Sequence, residues 1–367
     1  MLPPTNRIGN PDSHANALMK TKTEMNRRTM LITIPTTTSG CLHAVANADP
    51  PVNPRYKTIN ADIVFHTTAG YPQRWRKLYE QTIQQYADQF GRVGPTHIFL
   101  IENPDWYPQQ ISQTRRKALL ESIRKLKHKF AVITGQNSDG NYLEWQTGNH
   151  WAGWSITPPR ITITMTMSPI RDALQFVIGP LHEYTHALQT AHGYAAEAID
   201  GNQMGHSRWT GPAWWREGSA VLVSFFYSYL NPQLFRSLPT SISWKRLSDE
   251  LNRNLSLYQK AGVPIRSGVT HDDWQRLEKN NHVHPVVYAG GSVACALLLK
   301  RCGSLSKFMD FLPLVPTMGW ERAFEKHFQQ NLNEFYVEFS ELTHNRKPDL
   351  DSPESRQNFF SFLKSMK

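Results

Sequence analysis

Between residues 58 and 167 the apolar positions follow two periods, 2 and 3.6, and the changes from one to the other predict the first half of the fold. Ala61-Asp62-Ile63-Val64-Phe65 reads as a strand. A helix follows, opened by Pro72 and closed by Gly91, with Trp75, Leu78, Tyr79, Ile83, Tyr86 and Phe90 on one face. His97–Ile101 predicts a second strand, residues 113–128 a basic helix and Phe130–Thr134 a third strand. Residues 135–158 read as an aromatic loop containing Trp145, Trp151 and Trp154. Ile161 to Met167 then alternates strictly, predicting a half-buried strand at the edge of the sheet. Beyond residue 170 the pattern is helix and loop. Strands first and helices afterwards make an α+β plan, and no internal repeat interrupts it.

Residues 1–56 have no such periodicity and are rich in Pro, Thr, Asn and Ala. Within them Asn26-Arg27-Arg28-Thr29 precedes an apolar run, Met30 to Ile34, and Ala46-Asn47-Ala48 offers small residues at a cleavage position. That order is the order of a secretory signal starting at Met25, and it predicts export to the periplasm or the medium. Lipid anchoring through Cys41 is the variant, although Thr38-Ser39-Gly40-Cys41 lacks the usual leucine. The expected organisation is a leader at 1–56, an α/β lobe with the edge strand at 57–195, a helical lobe at 196–345 and a tail or helix at 346–367.

The formal charge is +10, of which Arg7, Lys20, Lys22, Arg27 and Arg28 against Asp12 and Glu24 place +3 in the leader. The rest favours acidic polymers or peripheral association with anionic membranes. Its densest cluster, Arg115, Arg116, Lys117, Arg124, Lys125, Lys127 and Lys129, reads as a solvated helix face; no motif with it specifies nucleic acid. No stretch approaches the roughly 20 apolar residues that span a bilayer, so no transmembrane segment is expected. Cys295 and Cys302 would lie about 10 Å apart on one helix, too far to bridge, and read as small core residues.

Chemistry concentrates in Pro180-Leu181-His182-Glu183-Tyr184-Thr185-His186-Ala187-Leu188-Gln189, which contains His-Glu-x-x-His. Pro180 can begin a helix and Gly193 can end it. On that helix His182 and His186 share a face one turn apart, the spacing that lets two neutral imidazoles hold one tetrahedral Zn²⁺. Glu183 is rotated by about 100° from His182, close enough to meet a water without being a ligand.

A catalytic zinc needs a third protein ligand, and His192, Glu197, Asp200, His206 and Glu217 are the candidates. His192 has metzincin spacing, but Gln189 stands where that pattern needs a glycine turn. Without the turn His192 points about 120° off the ligand face. Glu217 sits in an apolar helix begun by Thr210-Gly211-Pro212, where a carboxylate needs a compensating partner.

In these residues the chain resembles the gluzincin metallopeptidases. Trp214-Trp215-Arg216-Glu217-Gly218-Ser219-Ala220 is similar to their Trp-x-x-Glu-Gly-x-Ala ligand helix, and Glu183-Tyr184-Thr185-His186-Ala187-Leu188 is locally similar to bacterial collagenases. The resemblance covers roughly residues 155–340. It implies a thermolysin-like fold with the zinc site between two lobes, His182, His186 and Glu217 as ligands and Glu183 as general base. It also implies a helper tyrosine near the start of a later helix, which points to Tyr288 in Val287-Tyr288-Ala289-Gly290-Gly291, with His284 and His282 as alternatives. Val221 stands four residues after Glu217, where thermolysin-like enzymes carry an aspartate that orients a ligand histidine. That support must come from elsewhere.

The expected function is zinc-dependent hydrolysis of a peptide or protein substrate. Two other classes remain: a zinc-holding fold with a non-peptidase or binding-only role, and a basic surface protein binding polysaccharide or nucleic acid through Trp151, Trp154, Trp209, Trp214 and Trp215.

Overall fold

Ile98-Phe99-Leu100-Ile101 is an unbroken apolar run, and such a strand must be covered on both faces because successive side chains point to opposite sides. The structure, a computed structural model, describes residues 62–102, 111–134, 150–156, 159–165, 173–200, 211–236, 242–268 and 276–345. Strands β1 (Ile63–Thr67), β2 (Thr96–Leu100), β3 (His150–Ile156) and β4 (Pro159–Met165) form one sheet in the order β1-β2-β4-β3. The first, second and fourth run parallel, and β3 pairs antiparallel with β4. Helix α1 (Gln73–Phe90) buries the face read from its periodicity against Ile98, Leu100 and Ile163. Helix α2 (Gln113–Thr134) covers the opposite face, packing Ile123 and Leu126 on Phe99 and Ile101. Arg115, Lys117, Arg124, Lys125 and Lys129 of α2 are exposed.

Three expectations for this half are corrected. Phe130–Thr134 is the last part of α2, because Phe130 and Ile133 pack on the sheet from the helix; the Phe130 ring lies 5.3 Å from that of Phe99. Tertiary contact outweighs the strand preference of Val132, Ile133 and Thr134. Residues 150–156, expected in a loop, form β3. The alternating strand is not at the edge: β4 lies between β2 and β3, and β3 is the edge. Alternation reports which face is buried, not how many neighbours a strand has.

The remainder is helical: α3 (Ala173–Asp200), α4 (Ala213–Leu230), α5 (Trp244–Ala261), a π-helical segment (Val283–Gly290) leading into α6 (Gly291–Cys302), then α7 (Trp320–Phe328) and α8 (Leu332–Ser340). One continuous core draws side chains from each of the helices named above except α2, so the sheet-bearing and helical parts share it. Trp214 and Trp215 are fully enclosed there, stacked on Phe335 at 5.6 Å and edge-on to Phe311 at 4.7 Å, which removes both from any surface platform. Helix α3 starts before Pro180 and continues past Gly193, because Ile178 and Leu181 carry the buried face across the proline. Val283–Cys302 does reach the length and apolarity of a membrane span, contrary to the sequence reading, yet 72% of it is buried inside the protein. Core packing accounts for that composition. Cys295 and Cys302 are free thiols, the first buried. The leader at 1–56 with Cys41, residues 135–149, His206, Trp209 and the tail at 346–367 lie outside the described residues.

On the sheet, His66 and His97 stack with ring nitrogens 3.1 Å apart. Burial, then the charges of Lys129 and His97, lower the His66 pKa from 6.5 to about 4. The unfolded chain therefore takes up this proton first, and stability is lost as pH falls from 6.5 towards 4, by up to about 3 kcal/mol. In denaturant titrations across that range the wild type is expected to lose stability relative to His66→Leu as pH falls. Parallel curves would rule His66 out as the source.

Candidate metal centre

Helix α3 lies against the core along Leu181, Tyr184, Ala187 and Leu188, all at most 1% exposed. Burying that stripe fixes the rotation of the helix and leaves His182 and His186 on a neighbouring face. Thr185 anchors it further: its hydroxyl donates to the Leu181 carbonyl at 2.7 Å, which leaves the Tyr86 hydroxyl of α1 to donate to it at 2.9 Å. Helix α4 is rooted by Trp214 and Trp215 and presents Glu217 from its second turn.

These two helices bring three donor atoms together. His182 Nε2 and His186 Nε2 are 3.0 Å apart, and Glu217 Oε2 lies 3.6 Å from the first and 3.3 Å from the second. Ligands about 2.0–2.1 Å from a tetrahedral zinc sit about 3.3–3.4 Å from one another. The triangle therefore has the size such an ion requires. Its side chains are 18, 18 and 16% exposed, so the three groups are largely but not wholly shielded from solvent.

Without an ion, the triangle is electrostatically balanced as an imidazolium–carboxylate pair. Burial alone would raise the Glu217 carboxyl, but the charge of His186 and the contacts with both imidazoles hold it well below the usual carboxylate range. Burial would likewise lower His186, yet Glu217, then Glu183 and Gln189, raise it to about 9. Once the His186 proton leaves, two imidazole nitrogens and a carboxylate face one point, and a borderline-soft dication suits this mixed nitrogen and oxygen set.

Around the triangle, Glu183 is 7% exposed and acts by charge on both His186 and Tyr288. Tyr288 lies beside Glu217 in the π-helical segment. Burial, then the charges of Glu217 and Glu183, hold its phenol proton well above the ordinary value, with Arg216 acting in the opposite sense. Tyr288 is thus a proton-bearing donor at any working pH. Backbone contact brings it there: a side chain on Gly218 would overlap the Gly291 carbonyl, and one on Gly291 the Trp214 carbonyl. Only glycines allow α4 and α6 to approach so closely.

His284 is one step removed. It is exposed, stacks on Tyr288 at 6.1 Å, and has Arg253 and Glu250 as charged neighbours. His282 caps the π-helical segment through its backbone. His192 is buried further along α3 and does not join the three donors, and the side chains of Glu197 and Asp200 lie outside the described residues. Gln189 is the residue that sequence reasoning missed. It is 6% exposed, within 2.8 Å of His186 Nδ1, and it contacts α4 on its other side. Its signal was present as a polar residue three positions beyond His186, on the ligand face. No family model, no curated protein and no solved structure matches this chain.

Proposed function

We propose that this protein is a zinc-dependent metallopeptidase of the gluzincin type. The observation that carries the reading is the triangle of His182, His186 and Glu217, sized for tetrahedral zinc, with Glu183 and Tyr288 beside it. Zinc held there supplies Lewis acidity towards a water and a substrate carbonyl. Glu183 accepts the proton of the attacking water and passes it to the departing amine. Tyr288 donates a hydrogen bond from its phenol to the carbonyl oxygen as negative charge develops on it. His182, His186 and Glu217 leave Glu183 free for proton transfer, because the helix turns it away from the ligand face.

An extended substrate can pair with the sheet at β3, which packs against α3 and has no strand neighbour on its outer side among the described residues. The purified protein is expected to carry one zinc ion per chain and to cleave members of a peptide library. A chelator should abolish cleavage, and added zinc should restore it. A protein that binds no zinc, or cleavage indifferent to the chelator, would overturn the reading.

A further inference from the structure

We infer that Gln189 is a positioning residue of the metal centre: its carboxamide sets the tautomer of His186 and ties that imidazole to the turn bearing Glu217. The inference rests on the zinc reading above.

Donor and acceptor accounting leads to it. The Gln189 amide nitrogen donates to the Arg216 carbonyl at 3.0 Å and to Ser219 Oγ at 2.8 Å. A backbone carbonyl can only accept, so the nitrogen must be on that side of the amide. The Gln189 oxygen then faces His186 Nδ1 at 2.8 Å, and it too can only accept. His186 must therefore carry its proton on Nδ1. In the neutral ring this leaves the lone pair on Nε2, the atom that faces His182 and Glu217. Turning the amide over would set its oxygen against the Arg216 carbonyl oxygen at a 6% exposed site, so that carbonyl selects the orientation.

The same side chain spans the two ligand helices. Its oxygen holds a ligand on α3, and its nitrogen holds the residues on either side of Glu217 on α4. This supplies the support that Val221 cannot give.

The test is zinc affinity, measured by competition with a chromophoric chelator, on wild type, Gln189→Met and Ser219→Ala. Ser219→Ala removes one inter-helix bond without touching His186, and reports what packing alone contributes. Gln189→Met keeps the length of the side chain and loses all three hydrogen bonds. It is expected to weaken zinc binding by about 10–100-fold, with Ser219→Ala near wild type. Equal affinity for wild type and Gln189→Met would overturn the inference and leave the zinc reading standing. A wild type that binds no zinc would overturn both. If Gln189→Met fails to fold, long-range proton–nitrogen correlation on the zinc-loaded wild type decides. A proton on His186 Nδ1 with the metal on Nε2 is expected, and the reverse assignment would overturn the inference.

Discussion

Glu183→Gln is expected to bind zinc as wild type does and to lose peptide hydrolysis by about 10²–10⁴-fold, the range for removing a positioned general base. The separation follows from helical geometry. Glu183 is buried beside His186 and Tyr288 without being one of the three mutually close donors, so an amide of the same shape disturbs proton transfer and spares the coordination sphere. Metal analysis alongside single-turnover cleavage checks it. Loss of zinc would make Glu183 a ligand. Cleavage within about twofold of wild type would remove it from the reaction, since a positioned base contributes far more than that. The same pair of measurements separates a peptidase from a binding module, which should show no dependence on either the metal or Glu183.

The second large effect falls on stability. Alanine is the better helix former, by about 1 kcal/mol over glycine, so propensity alone predicts that Gly218→Ala stabilises α4. Packing predicts the opposite. The added methyl would overlap the Gly291 backbone, which has no flexible end to move aside. Overpacking of this kind costs typically about 1–3 kcal/mol, and a rigid neighbour puts this site at the upper end. Thermal unfolding of Gly218→Ala is therefore expected several degrees below wild type, with the α4–α6 crossing pushed apart and Tyr288 drawn away from Glu217. A rise in melting temperature would mean that the helices part without cost.

The two histidines of the triangle were legible from spacing, and Glu217 from its apolar helix together with the resemblance to gluzincin ligand helices. His182 and His186 lie one helical turn apart, and Glu217 is a carboxylate in a helix otherwise too apolar to leave one uncompensated. The face of α1 was legible for the same reason, since a 3.6-residue period has few rival explanations. Sheet order was not. The Ile-Thr alternation of β4 is equally consistent with an edge and an interior position, and only the pairing of β3, which read as loop, decides between them. Gln189 was noticed only as the residue standing where a metzincin glycine would be. Its partners, the Arg216 carbonyl and Ser219, lie 27 and 30 residues away, beyond what local periodicity can report. Gly218 stood in the motif, but its reason, backbone contact with Gly291, belongs to packing.

Because α3 and α4 are both rooted in the shared core, the three proposed ligands are held together by packing. Small zinc domains fold around their metal, whose removal unravels them. Under the proposed zinc reading, chelation here is instead expected to leave the protein folded, and thermal unfolding with and without a chelator checks it.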